Sequence, residues 1–374
     1  MKPWDLIVIG AGPAGSTCAS LCSQTGLRVL LLEAARFPRD KVCGDCLNPA
    51  AWPVIERLGL GSRIDALPSS SPKVIRFSVA GHGQIDLPLP PPRNEGSRSE
   101  RVVRRRDLDA LLVERAVELG VWFRDGSPLT SLRSSSGLWE VTTSLGENHL
   151  AHRIVAADGR NSVTARHLRM HASLFRDSRI GIQTHIPHPA DYDGTLEMRI
   201  YRNGYGGLAD LGNGMANLCL VANDGSLKAL RKEAEEYYRM ESATAWRSIT
   251  SISRPVARHL AKQGVFLCGD AARVVEPFTG EGIAFALRSA ELLADHLIAP
   301  SNEAPGSAIH REVLYSRAHR ELYGKGLWVN RLTRFLSEHP RIAHRIAPLL
   351  LRHPRFLSIM TRKVITTQGA TPPC

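Results

Sequence analysis

The chain opens on an unbroken apolar run, Asp5-Leu6-Ile7-Val8-Ile9, the pattern of a strand buried on both faces of a parallel sheet. It stops at Gly10-Ala11-Gly12-Pro13-Ala14-Gly15 and continues in small residues, Ser16 to Ser20, that suit a helix packed closely on that sheet. A second apolar run, Arg28 to Leu32, ends at Glu33. Buried-strand patterns return at Ile154–Ala157 and Gly264–Cys268, and the latter leads into a helix predicted over Phe285 to Ile298. Between these segments Thr195–Tyr201 alternates as a half-buried strand does. Apolar stretches at Gly206–Leu211 and Met215–Val221 flank Gly212-Asn213-Gly214, a hairpin signal. Past Pro305 the pattern turns helical. Arg341 to Leu351 is amphipathic, and Pro340, Pro348 and Pro354 divide this region into short pieces.

These elements predict an α/β fold in which a nucleotide-binding domain is interrupted by a second sheet. Residues 1–71, 93–174 and 256–300 form the discontinuous first domain. Residues 72–92 and 175–255 form an inserted, mostly antiparallel sheet, and 301–374 form a basic helical region. A chain of 374 residues is long enough for this plan. With 43% hydrophobic and 22% charged residues it excludes disorder, a collagen repeat or a disulfide scaffold. No apolar run reaches the ~18 residues of a spanning helix. The N-terminus runs into the glycine motif without a cleavage site, so it reads as a strand rather than a signal peptide. Seven cysteines, an odd number, suit reduced thiols and a cytoplasmic location.

The glycine motif carries the first chemistry. Gly10 permits a tight turn, Gly12 lets the backbone approach a pyrophosphate, and Gly15 lets helix and strand close up around Ala14. The helix N-terminus then faces the phosphates. Glu33, 18 residues beyond Gly15, is placed to accept a hydrogen bond from a ribose hydroxyl. Strand, turn, helix, strand and terminal acid together define a Rossmann-like dinucleotide site.

Two later segments select the dinucleotide. Ile154-Val155-Ala156-Ala157-Asp158-Gly159-Arg160 is a strand ending in an Asp-Gly turn. Cys268-Gly269-Asp270-Ala271-Ala272 leads through Glu276-Pro277-Phe278 to Thr279-Gly280-Glu281-Gly282-Ile283. In this combination and order the chain resembles the FAD-dependent hydroxylase and geranylgeranyl-reductase superfamily, with the fold of p-hydroxybenzoate hydroxylase, over roughly residues 1 to 300. The resemblance implies that Asp270 meets the flavin ribityl chain. It places the amides of Gly280, Gly282 and Ile283 at the flavin pyrimidine edge, and Asp158 and Gly159 near the pyrophosphate. Val103 to Asp109 resembles the family's R-x-x-L-D helix start, which makes Arg105 an FAD contact, and Leu129 falls where the family meets adenine. Arg273 stands where the family commonly has glycine, its charge either near the ribityl and phosphates or in solvent. No second GxGxxG is present, so NAD(P)H would bind transiently in the flavin cleft, or another electron donor would reduce it.

The loop Phe37 to Leu47 follows the Glu33 strand, and its Lys41-Val42-Cys43-Gly44 is similar to the K-x-C-G of the geranylgeranyl-reductase branch. Arg36, Lys41, Cys43, Gly44 and Cys46 become candidates for contact with FAD or substrate. Cys43-x-x-Cys46 also admits a zinc half-site or a redox dithiol, beside simple packing near the flavin. No metal-ligand cluster stands out, and no catalytic residue is assigned. The five tail histidines, His310, His319, His339, His344 and His353, are expected at the surface.

The net charge of +12 is concentrated between His310 and Lys363, which holds twelve Lys/Arg against three acids. With no nucleic-acid motif in the chain, this region reads either as a peripheral contact with a membrane or as a helical cap over the substrate domain. The resemblance implies an FAD-dependent oxidoreductase acting on a lipophilic small molecule, leaning to reduction of isoprenoid-type double bonds. A monooxygenase hydroxylating an aromatic or polyketide substrate through a flavin C4a-hydroperoxide stays open, as does a flavin-binding protein without net redox turnover.

Overall fold

The computed structural model describes residues 2–91, 98–171, 177–240, 245–250, 252–299, 307–324 and 327–366; the expected boundaries at 92/93, 174/175 and 300/301 lie outside them. At the centre is β1 (Trp4–Ile9), parallel to β2 (Val29–Leu32) on one side and to Asn148–Ala156 on the other. Val265–Leu267 and Trp122–Arg124 extend the parallel set outward. A parallel pair needs a crossover, and α1 (Pro13–Ser23) supplies it between β1 and β2. All residues of α1 from Pro13 to Cys22 are buried, because the helix lies against the sheet and against the helices Arg105–Glu118 and Gly282–Ile298. The run Ser16 to Ser20 is therefore small by necessity.

The tightest approach is between glycines. A side chain on Gly15 would put its first carbon 1.7 Å from the Gly10 carbonyl oxygen. Gly10 itself holds φ +100°, and its turn is pressed against the Ala157 carbonyl of the neighbouring strand. The glycine motif thus fixes strand-to-helix spacing before any ligand arrives.

The second sheet has seven strands in the order Arg247–Thr250, Arg179–Pro187, Met215–Asn223, Gly204–Asp210, Thr195–Tyr201, Val74–Val79 and Gly83–Pro88. Every neighbouring pair is antiparallel except Thr195–Tyr201 with Val74–Val79, the inserted sheet expected from the alternation. The hairpin closes at Gly212 and Gly214, both with positive φ, and pairs Asp210 with Ala216. A small sheet of Cys46–Leu47, Arg101–Val103 and Ser69–Ser70 bridges the two large ones.

Four helices finish the described chain: Ser307–Gly324, Leu327–Glu338, Pro340–Leu351 and Pro354–Thr366. Pro340 and Pro354 begin helices, where a missing N–H costs nothing. Pro348, expected to divide the segment, instead lies inside Pro340–Leu351, with the helix running on for a final turn. The exposed-histidine expectation also fails at His319. It is fully buried between Tyr315 and Tyr323, and burial pushes its pKa down to about 3. Its neighbours are aromatic because this face of Ser307–Gly324 packs on the helix Gly282–Ile298. Among the described residues no helix is long and apolar enough to cross a membrane.

Gly15→Ala forces the Gly10 carbonyl to move and should destabilise the protein by about 3 kcal/mol, the upper range for overpacking against a rigid neighbour. Thermal unfolding with flavin content as a second readout checks this; an unchanged melting temperature would refute the spacing role.

Candidate active site

A cavity of about 700 Å³ runs from the glycine turn to the tail helices. One end is polar. Gly12 caps the N-terminus of α1 without a side-chain hydrogen bond, and the first turn carries no acid. A side chain at Gly12 would meet only two guanidinium groups, Arg39 at 3.7 Å and Arg105 at 3.9 Å. A backbone N–H cluster facing two cations across open space is a seat for an anion. The residues fit the pyrophosphate of a dinucleotide.

One carboxylate sets both guanidiniums. Asp109, buried on the helix Arg105–Glu118, accepts from Arg39 Nη1 at 3.0 Å and from Arg105 Nε and Nη2, both at 2.8 Å. Arg39 also lies 3.6 Å from Glu33. Glu33 is itself held by the turn it was expected to serve: it accepts from Ala11 N at 2.9 Å and Ala35 N at 3.0 Å. The acid therefore stands at the cavity wall with its orientation fixed by backbone amides. Lys41 joins the same wall. Burial and the charges of Arg105, Arg160 and Arg39 push its pKa down, the electrostatic sign of a site built for an anion.

The later motifs converge on the same space. Asp158, Gly159, Asp270, Gly280, Gly282 and Ile283 all line the cavity, as do Gly10, Gly12, Ala14, Glu33, Cys43, Gly44, Arg105 and Leu129. Asp158 accepts from Thr164 N and Oγ1, each at 3.0 Å, while burial raises its pKa. Asp270 lies 3.5 Å from Arg160. Gly282 opens the helix Gly282–Ile298 with nothing packed on its side-chain position, so the unpaired amides of that first turn face the cavity.

Two residues named from the sequence stand elsewhere. Gly15 works behind the turn, as described above. Arg36 lies outside the cavity, stacked on Gly126, and Arg39 takes the place at the wall. The sequence signal for Arg39 is weak, since its partner Asp109 is 70 residues away. Arg273 is not among the residues lining the cavity: it is half-buried over the Tyr323 ring, 5.2 Å from the centroid.

The cysteine loop is gripped by the inserted sheet. Cys43 N donates to Gln183 Oε1 at 3.3 Å, and its carbonyl accepts from Asn217 Nδ2 at 2.8 Å and from Cys219 Sγ at 3.2 Å. Asn217 also donates to Asp45 at 2.9 Å. Burial pushes the thiols of Cys43, Cys46 and Cys219 up, so they stay protonated, which disfavours thiolate exchange. Asp45, bonded by Arg105 N at 3.1 Å, is pushed up to about 7 by the same burial.

Beyond the loop lies a group that no sequence motif marked. Glu100 precedes the strand Arg101–Val103, is buried, and lines the cavity. Burial, then the nearby charge of Glu281, push its pKa up to about 8, so it carries a proton at neutral pH. It lies near Cys46, whose β-carbon in turn approaches Gly280, and so belongs to the end of the cavity where the Gly280–Ile283 amides converge. From here the wall becomes apolar. Phe77, Leu196 and Met198 of the inserted sheet face the cavity, as do Leu350, Leu357 and Met360 of the tail.

A cationic dinucleotide cleft that opens into an apolar chamber beneath an antiparallel sheet defines an FAD-dependent oxidoreductase. The chain belongs to the FAD binding domain family, whose model matches residues 4–198 and 222–320. It is 28% identical over 380 residues to a menaquinone reductase of Mycolicibacterium smegmatis, covering 96% of this chain and 90% of that one. It is 26% identical over 318 residues to a digeranylgeranylglycerophospholipid reductase of Thermoplasma volcanium, covering 77% and 76%. Among solved structures, PqsL of Pseudomonas aeruginosa, a probable FAD-dependent monooxygenase, shares the fold with a TM-score of 0.76 at 16% identity, covering 92% of this chain and 99% of that one.

Two outcomes follow from the site's geometry. Arg39→Ala should weaken FAD binding by about tenfold or more, the scale of one charge-assisted hydrogen bond, while Arg36→Ala leaves it near wild type. Fluorescence titration of the apoprotein with FAD separates them. For Glu100, a folded-state pKa above the unfolded value means stability present at low pH and lost as pH rises through about 8. Glu100→Gln removes that loss, so the melting-temperature gap between variant and wild type should widen in the variant's favour from about pH 5 to about pH 8.5. A constant gap would show that Glu100 does not titrate as described.

Proposed function

We propose that the protein reduces carbon–carbon double bonds of isoprenoid type in a lipophilic substrate. The observation that carries this reading is the continuity of the dinucleotide cleft with an apolar chamber walled by the inserted sheet and the tail helices. The menaquinone reductase and the digeranylgeranylglycerophospholipid reductase, both named for lipid substrates, support the same class. Bound FAD, once reduced, supplies the hydride. The chain supplies the rest. Arg39, Lys41 and Arg105 hold the diphosphate and Glu33 orients the ribose, and the Gly280–Ile283 amides favour the anionic form of the ring they face. Saturating a double bond also needs a proton, and Glu100 is a cavity carboxyl held protonated at neutral pH.

The test is anaerobic. The FAD-loaded protein is reduced by dithionite, or by NADH or NADPH as the transient donor, and mixed with a menaquinone bearing an unsaturated side chain. The expected product is heavier by one H2, with the quinone ring unchanged, and Glu100→Gln slows its formation by about a hundredfold, the typical yield of general acid catalysis. An unchanged side chain would overturn the reading. Incorporation of labelled oxygen from dioxygen into an aromatic substrate would establish the hydroxylase instead.

A further inference from the structure

The two last helices carry apolar residues on both faces. On Pro340–Leu351 the fully buried residues are Ala343 and Ala347, Leu350 is turned to the cavity, and Ile342, Ile346 and Leu349 face out. Their spacing of four and three residues makes one continuous stripe. On Pro354–Thr366, Leu357 and Thr361 are buried while Phe356 is 40% and Ile359 60% exposed. Globular helices direct such stripes to the core. Here the stripe is outside and flanked by cations. Residues 340–366 contain six Lys/Arg and no Asp or Glu, with Arg341 and Arg345 beside Ile342 and Ile346.

The inner face of the same pair walls the cavity through Leu350, Leu357 and Met360. At the turn between the helices a surface crevice is lined by Leu350, Arg352, His353, Pro354, Arg355 and Phe356. Leu350 lines both the crevice and the cavity, which brings the two spaces together at this turn.

We propose that this helix pair docks into an anionic membrane surface, with Ile342, Ile346, Leu349, Phe356 and Ile359 in the acyl region, and that the crevice at Leu350 admits a lipid chain from the bilayer into the cavity. Apolar residues rimmed by arginines match the layering of an anionic interface. A second copy of the chain fits poorly, because pairing two such faces sets Arg341 and Arg345 of one copy against those of the other. The proposal rests on the lipid-substrate reading but is tested apart from it.

The experiment is sedimentation of the FAD-loaded full chain with vesicles of phosphatidylcholine, alone or with about 30% phosphatidylglycerol. The wild type should pellet with the anionic vesicles and stay in solution with the neutral ones, and about 0.5 M NaCl should weaken binding. Leu349→Glu with Phe356→Glu should lower the vesicle-bound fraction about tenfold while leaving the flavin spectrum and melting temperature unchanged. These residues are already in solvent, and the salt response of the wild type stands independently if the variant folds poorly. No binding to anionic vesicles, or binding indifferent to the double variant, would overturn the proposal. So would a wild-type dimer that the same substitutions dissociate. If vesicles bind but detergent-dispersed menaquinone is left unreduced, the reductase reading fails and the docking surface stands.

Discussion

The Asp109 carboxylate is the point on which the nucleotide end of the molecule turns. It is fully buried, and it meets three guanidinium N–H groups from Arg39 and Arg105. A buried charge so costly to desolvate is tolerable only when paired and hydrogen-bonded in good geometry. That requirement holds both arginines in place, because losing either removes part of the acid's pairing. Arg39 brings the loop after β2 against Glu33, and Arg105 brings its helix against the mouth of α1. The positive wall facing Gly12 is therefore set before any phosphate arrives.

A second requirement couples this cleft to the inserted sheet, in two places. Gln183, Asn217 and Cys219 hold the cysteine loop through its backbone. On the other side Arg179, buried in the strand Arg179–Pro187, pairs with Asp177 at 2.7 Å and with Glu276 at 2.9 Å. It also bonds Ser253 and Ser337, so one guanidinium joins the sheet to the flavin segment and to the tail. Tyr205, on the strand Gly204–Asp210 of the same sheet, donates to Glu276 at 2.6 Å. Every member of this network is satisfied, which is the condition under which buried polar groups specify one arrangement rather than weaken it.

The contrast between the cavity's ends explains its chemistry. Cations and helix amides surround one end, where an anion offsets their repulsion. Nearer the apolar chamber, desolvation and the charge of Glu281 push Glu100 toward its neutral form. A single continuous space thus stabilises negative charge at the nucleotide and stores a proton near the apolar chamber.

Some of this was legible in the chain by itself. The glycines of residues 10–15, the acid at 33 and the segments at 158, 270 and 280–283 answer local demands on backbone conformation and close approach, which act within a few residues and leave a fixed spacing. Burial on both faces wrote β1 and β2 as unbroken apolar runs, and half-burial wrote the inserted strands as alternation. Tertiary structure alone chose Arg39 over Arg36, buried His319, placed Arg273 on Tyr323, kept Pro348 inside its helix and brought Glu100 to the cavity. Each of these depends on what a residue meets across the fold. Asp109 is 70 positions from Arg39, and Glu281 lies far along the chain from Glu100. Side-chain charge, exposure and partnership are decided by such meetings, and no periodicity in the sequence encodes them.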